Sequence, residues 1–108
     1  MDYKVLSKDD VKLYSDMLNF TSLKGYVRTT FKDLCLKLGP PTYGPYDTGG
    51  DKVTCEWKIL TDKMVVTIYD WKTEETPMDE YDWHVGGHMF DVIDAAQNIL
   101  KKPAWRWK

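Results

Sequence analysis

Lys52-Val53-Thr54-Cys55-Glu56-Trp57-Lys58-Ile59-Leu60, then Thr61-Asp62-Lys63, then Met64-Val65-Val66-Thr67-Ile68-Tyr69-Asp70-Trp71 is the stretch whose reading decides the fold. Its first limb alternates: Val53, Cys55, Trp57 and Ile59 face one way, and Thr54, Glu56 and Lys58 the other. A period of two is the signature of a strand with one buried face. The three residues that follow make a tight connection, so the second limb returns antiparallel. On that limb Val66, Ile68 and Asp70 share one face, and Val65, Thr67, Tyr69 and Trp71 the other. Asp70 therefore continues an apolar row at the strand's end.

Working outward, Tyr81 to Val85 reads as a third strand. Gly86-Gly87 is expected to turn it into a final helix from about His88 to Lys101. Phe90, Ile93 and Leu100 mark that helix's apolar face, and Pro103 stops it. Upstream, Leu23 to Thr29 reads as a strand with Gly25 as its weak point. Thr30 is placed to cap a short helix carrying Phe31, Leu34, Cys35 and Leu38, which Gly39 ends. Ser7 is placed to cap a first helix running to about Phe20, with Asp9 and Asp10 in its first turn. Residues 39 to 51 form a Pro/Gly-rich loop carrying Tyr43 and Tyr46, and residues 73 to 80 an acidic one. The expected class is α+β: a small antiparallel sheet of three to four strands packed against two to three helices.

The 108 residues suit a single domain, 1–108, with 103–108 as a basic aromatic tail. With 43% hydrophobic and 14% aromatic residues the chain is globular rather than disordered. Five Trp and seven Tyr exceed what so small a core needs, so some rings are expected at a binding surface or a homo-oligomer interface. The formal charge of -2 gives no overall basic field for duplex nucleic acid. Neither an apolar leader nor a membrane-length apolar run is present, so the expected setting is intracellular. Cys35 and Cys55 both fall on apolar faces and read as buried reduced thiols.

The chemistry-bearing residues point to binding more than to catalysis. Rings at Tyr43, Tyr46, Tyr69, Trp71 and Trp83 are candidates for stacking on planar bases. Lys72 and Arg28 are candidates for phosphate. The Gly86-Gly87 backbone, read as a helix start, would offer bare N–H groups to the same anion. The bland reading of each is an aromatic cluster closing the sheet end, a solvated charge and an ordinary turn. His84 and His88 are four apart, but the glycines between them break any shared helix face. No cysteine–histidine spacing suits zinc, so neither a metal nor another cofactor is expected. A hydrolase would use His84 or His88 as base with Asp70 to orient it, yet no nucleophile motif accompanies them.

Thr67-Ile68-Tyr69-Asp70-Trp71-Lys72 and Trp83-His84-Val85-Gly86-Gly87, with Asp51-Lys52-Val53-Thr54-Cys55-Glu56-Trp57 before them, resemble a widespread family of small bacteriophage proteins. The resemblance runs from about Leu23 to the final helix and leaves out the tail from Pro103. Through it the chain is similar to the phage sponges that sequester cyclic-nucleotide alarm signals of the CBASS defence. That resemblance implies an oligomer in the host cell cytoplasm that binds a signal such as cyclic GMP–AMP without cutting it. It makes the matching positions Tyr69, Trp71, Lys72, Trp83, His84, Gly86 and Gly87 candidates for ligand contact. The principal alternative is a phage inhibitor that binds a host defence protein directly, its acidic loop from Glu74 to Asp82 mimicking nucleic acid. A small His/Asp hydrolase is the second.

Overall fold

The computed structural model describes residues 2–46, 52–62 and 64–107. The end of the Pro/Gly loop (47–51), Lys63 of the hairpin turn and Lys108 of the tail lie outside them. In chain order the elements are β1 (Tyr3–Val5), α1 (Lys8–Leu13), α2 (Ser15–Leu18), β2 (Ser22–Thr29), α3 (Phe31–Leu38), β3 (Glu56–Thr61), β4 (Val65–Tyr69), β5 (Tyr81–Gly87), α4 (Asp91–Leu100) and β6 (Ala104–Arg106). The class is α+β. The strands form a 6-stranded sheet in the order β1-β3-β4-β5-β2-β6, antiparallel at every pairing.

The hairpin forms as its alternation dictates. Trp57 pairs with Ile68 and Ile59 with Val66, and all four are fully buried. This inner face is covered by α3 and α4, which bring Leu34, Leu38, Val92, Ile93, Ala96 and Leu100 against Val27, Trp83 and Val85. Thr30 caps α3, its hydroxyl accepting the Asp33 N–H at 3.1 Å. Asp33 turns its carboxylate to the Thr29 hydroxyl at 2.8 Å rather than back to the cap. Lys37 of α3 donates to the Leu100 carbonyl at the end of α4, where the helix dipole favours a cation.

The opposite face of the sheet is covered only at one corner. There α1 and α2 place Val11, Tyr14 and Leu18 over Leu6, Leu60 and Val65. Ser7 and Asp10 close a capping box at the start of α1, with bonds of 3.1 and 3.2 Å. Among the described residues, the rest of that face carries no helix.

Several expectations are corrected. The sheet has six strands, because the short β1 and β6 add to its two edges. The first helix is broken at Tyr14 and ends at Leu18. The strand expected from Lys52 starts at Glu56. Gly86 and Gly87 do not open a helix. They continue β5, opposite Leu23 and Ser22 of β2, and α4 begins only at Asp91. Glycine is needed there for room: a Cβ on Gly86 would lie 2.6 Å from the Thr67 hydroxyl. The expected weak point at Gly25 is a break in register between Leu23 and Gly25. Among the described residues, no helix is long and apolar enough to cross a membrane.

Candidate functional site

Strand parity assembles a row of side chains across the uncovered face. Glu56 of β3 pairs with Tyr69 of β4, Tyr69 with His84 of β5, His84 with Tyr26 of β2, and Tyr26 with Trp105 of β6. Neighbouring strands lie about 4.8 Å apart, so this row runs roughly 19 Å across the sheet. Its rings touch. Tyr26 meets His84 edge-on with centroids 5.1 Å apart, Tyr69 lies 5.4 Å from His84, and Trp105 lies 6.0 Å from Tyr26. Trp71 stands beyond the end of β4, edge-on to Tyr69 at 6.5 Å. A depression of about 440 Å³ opens here, lined by Leu23, Tyr26, Tyr69, Trp71 and His84.

The rim is cationic at one end. The ammonium groups of Lys52 and Lys72 lie 5.8 and 5.9 Å from the centre of the Trp71 ring. Trp71 is held by its own N–H, which donates to the Tyr81 hydroxyl at 3.2 Å, and is 42% exposed. Lys72 takes a left-handed backbone, φ 55°, and donates its N–H to the Lys52 carbonyl at 2.6 Å. That bond ties the two lysine-bearing segments together beside the indole. Elsewhere the rim is self-neutralised: Arg28 pairs with Glu80 at 3.2 Å and Asp82 at 2.9 Å.

Burial sets the protonation states of the floor. It pushes the Tyr69 phenol up to about 12, with the Glu56 charge adding to the effect, so Tyr69 remains a neutral hydroxyl. It also raises Glu56, against the pull of Lys58, whose ammonium lies 3.3 Å away. His84 is pushed below its ordinary value by burial, which outweighs the nearby Asp70 and Asp82. The floor therefore offers hydroxyls and a neutral imidazole among rings, with two ammonium groups to one side.

The residues singled out from sequence divide sharply. Tyr69, Trp71, Lys72 and His84 come together at this depression. Trp83 does not: it alternates with His84, is 0% exposed, and packs edge-on to Trp57 at 5.7 Å in the core. Its expected place among the stacking rings is corrected. The Gly86 and Gly87 backbone belongs to the sheet ladder and is no helix-start cradle. Tyr43 pairs with Glu56 at the far edge, under the Lys8 ammonium. Tyr46 accepts the Thr76 N–H at 3.1 Å and so staples the Pro/Gly loop to the acidic one. Arg28 is on the uncovered face but already engaged by two carboxylates.

Tyr26, Leu23, Lys52, Glu56 and Trp105 were not singled out. The alternation of Tyr26 with Val27 within the β2 pattern was the available signal. For Trp105 the signal was the pair of indoles in a tail that solvation alone would not need; the strand it joins was not legible, since β6 has only three residues and its partner is far away in sequence.

Among the described residues, Asp70 makes its hydrogen bonds to groups other than the histidines. Asp70 is fully buried, and its carboxylate accepts from the Thr54 N–H at 2.7 Å, the Cys55 N–H at 3.2 Å and the Thr73 hydroxyl at 2.6 Å. Those donors, with the Thr54 hydroxyl, occupy the group meant to orient His84. His88 sits apart, with a ring nitrogen on the Met17 carbonyl. Among the described residues no three His, Cys, Asp or Glu side chains gather as a metal site. Cys35 and Cys55 are free thiols. Comparison of the chain with family models, curated proteins and solved structures finds no match.

Proposed function

We propose that this chain binds a cyclic di- or oligonucleotide signal on the uncovered sheet face and holds it without cutting it. The observation that carries this reading is the row Tyr69–His84–Tyr26–Trp105, with Trp71 and two lysines at its end. Stacking on such rings is worth about 1–3 kcal/mol per base and tolerates any base. The row is wide enough for two bases, and Lys52 and Lys72 are placed to meet a phosphate beside the first. Asp70 is committed to the fold, which leaves His84 without a hydrogen-bonded acid and favours binding over hydrolysis.

The Ile-Tyr-Asp-Trp-Lys and Trp-His-Val-Gly-Gly pieces add the biological setting to this proposal. They support a phage anti-defence role against CBASS-type signalling, in the host cytoplasm and as a homo-oligomer. Exposed Leu13, Phe20 and Trp107 would suit such self-association. The reading as a nucleic-acid mimic is weaker, because Arg28 neutralises two of the acids it would use.

A thermal-shift panel of cyclic di- and trinucleotides, with linear nucleotides as controls, tests the proposal. At least one cyclic compound is expected to raise the melting temperature and to be recovered intact from the heated complex. A flat panel, or linearised product, would contradict it.

A further inference from the structure

Three of the chain's five methionines, Met17, Met64 and Met89, line one depression of about 280 Å³ apart from the aromatic row. They come from three separate places: α2, the turn before β4, and the segment between β5 and α4. The backbone brings these places together. A ring nitrogen of His88 sits on the Met17 carbonyl, which ties α2 to the residue before Met89. A Cβ on Gly87 would lie 3.1 Å from the Val65 carbonyl and closer still to the Val92 side chain. That glycine therefore lets the Met64–Val65 segment and α4 close on the end of β5. Met64 is pinned by Thr61, whose hydroxyl accepts the Met64 N–H at 3.0 Å and whose N–H donates to the Met64 carbonyl at 2.9 Å.

What this cluster offers is sulfur. Zinc and calcium have no ligand set here, since no three His, Cys, Asp or Glu side chains gather among the described residues. A thioether is uncharged and polarisable, and it suits a soft ion such as Cu(I) rather than a hard one. Val65 and Val92 give the depression apolar walls. Asp91 adds a carboxylate to the lining, and among the described residues no lysine or arginine joins it, so the local charge favours a cation. Methionine also serves as a flexible filler of core gaps. A filler is buried, however, whereas Met17 is 43% and Met89 64% exposed. Met64 is partly buried against the core and completes the set from below.

We propose that Met17, Met64 and Met89 form a binding site for a soft monovalent metal ion of the Cu(I) class, held by their thioether sulfurs. The bond from His88 to the Met17 carbonyl keeps α2 beside the Met89 segment, so the site is assembled before the ion arrives. It shares no residue with the depression lined by Leu23, Tyr26, Tyr69, Trp71 and His84. The assignment therefore stands or falls independently of nucleotide binding.

Ag(I), an ion of the same charge and ligand preference that does not change oxidation state, is the probe. Silver nitrate is titrated into the protein in chloride-free buffer, and the methionine methyl signals are followed by proton–carbon NMR. On saturation the methyls of Met17, Met64 and Met89 are expected to move together. Met78, 60% exposed and outside the depression, is the internal control and should stay in place. Cys35→Ala removes the less buried of the two free thiols and should leave those shifts unchanged. Met17→Leu, Met64→Leu and Met89→Leu keep the apolar bulk and lose the sulfur. Each should weaken silver binding by at least about tenfold, the scale on which even outer-shell groups count at a metal. The melting temperature of each variant is the folding control, and three separate substitutions keep the test alive if one fails to fold. Equal movement of all four methyls, no methyl movement, shifts that vanish in Cys35→Ala, or leucine variants that bind as tightly as the wild type would overturn the assignment.

Discussion

Asp70 and His84, which the sequence invites one to pair, do separate jobs. Asp70 gathers the Thr54 and Cys55 N–H groups and the Thr54 and Thr73 hydroxyls around one buried carboxylate. Such bonds to a charged group are worth about 1.5–3 kcal/mol each when broken singly. Asp70→Asn turns one acceptor into a donor that faces other donors. We expect it to destabilise the fold by about 2–4 kcal/mol in urea denaturation; an unchanged midpoint would remove Asp70 from this role. His84 carries the opposite sensitivity. Its folded pKa lies below the unfolded value, so beneath about pH 6.5 the unfolded chain binds more protons than the folded one. Stability should therefore fall as pH drops from there through the folded pKa, and His84→Phe should flatten that slope. At this scale the sequence was only partly readable. Residue type singled out Tyr69, Trp71 and His84 as ligand-contact candidates, and the fold brings these three to one surface. Trp83 misled because its charged neighbours outweighed its alternation with Tyr81 and Val85, which turns it inward.

Among the elements, the β3–β4 hairpin was legible because both its strands alternate and its partners are adjacent in sequence. The capped helices α1 and α3 were legible for the same local reason: Ser7 and Thr30 act within one turn of themselves. The strands β1 and β6 were not, since each has three residues and is held by a partner far along the chain. Gly86-Gly87 resembled a turn, whereas its small size serves close packing in a central strand. Gly25 is the same device in β2, beside the edge strand β6. A Cβ there would collide with the Trp105 carbonyl and the Ile93 side chain. Gly25→Ala should therefore lift β6 from β2, move Trp105 off the aromatic row, and cost about 1–3 kcal/mol in stability. Fluorescence of the variant, compared with Trp107→Phe as a control, reads the displacement. A native emission spectrum with unchanged stability would mean that β6 is not seated by this contact.

For the whole molecule, the arrangement divides labour between two faces of one sheet. The inner face and helices α3 and α4 make the core, and the outer face is left open beyond the α1–α2 corner. Because each central strand contributes to both, the open face cannot soften without the core. Urea unfolding should accordingly be one cooperative transition, with coincident midpoints by circular dichroism and tryptophan fluorescence; two separated transitions would contradict a single folding unit. The class was visible in the sequence from its hydrophobic periods, but the site was not. A cross-strand row exists only once the register of five strands is fixed, and register is set by long-range pairing that no single segment encodes. The most direct test of the central claim is a proton–nitrogen correlation NMR titration of the labelled protein with cyclic GMP–AMP. The account predicts saturable shifts concentrated at Tyr26, Tyr69, Trp71, His84 and Trp105, with the nucleotide intact at the end. Shifts confined to Glu74–Asp82, or no shifts at all, would contradict it.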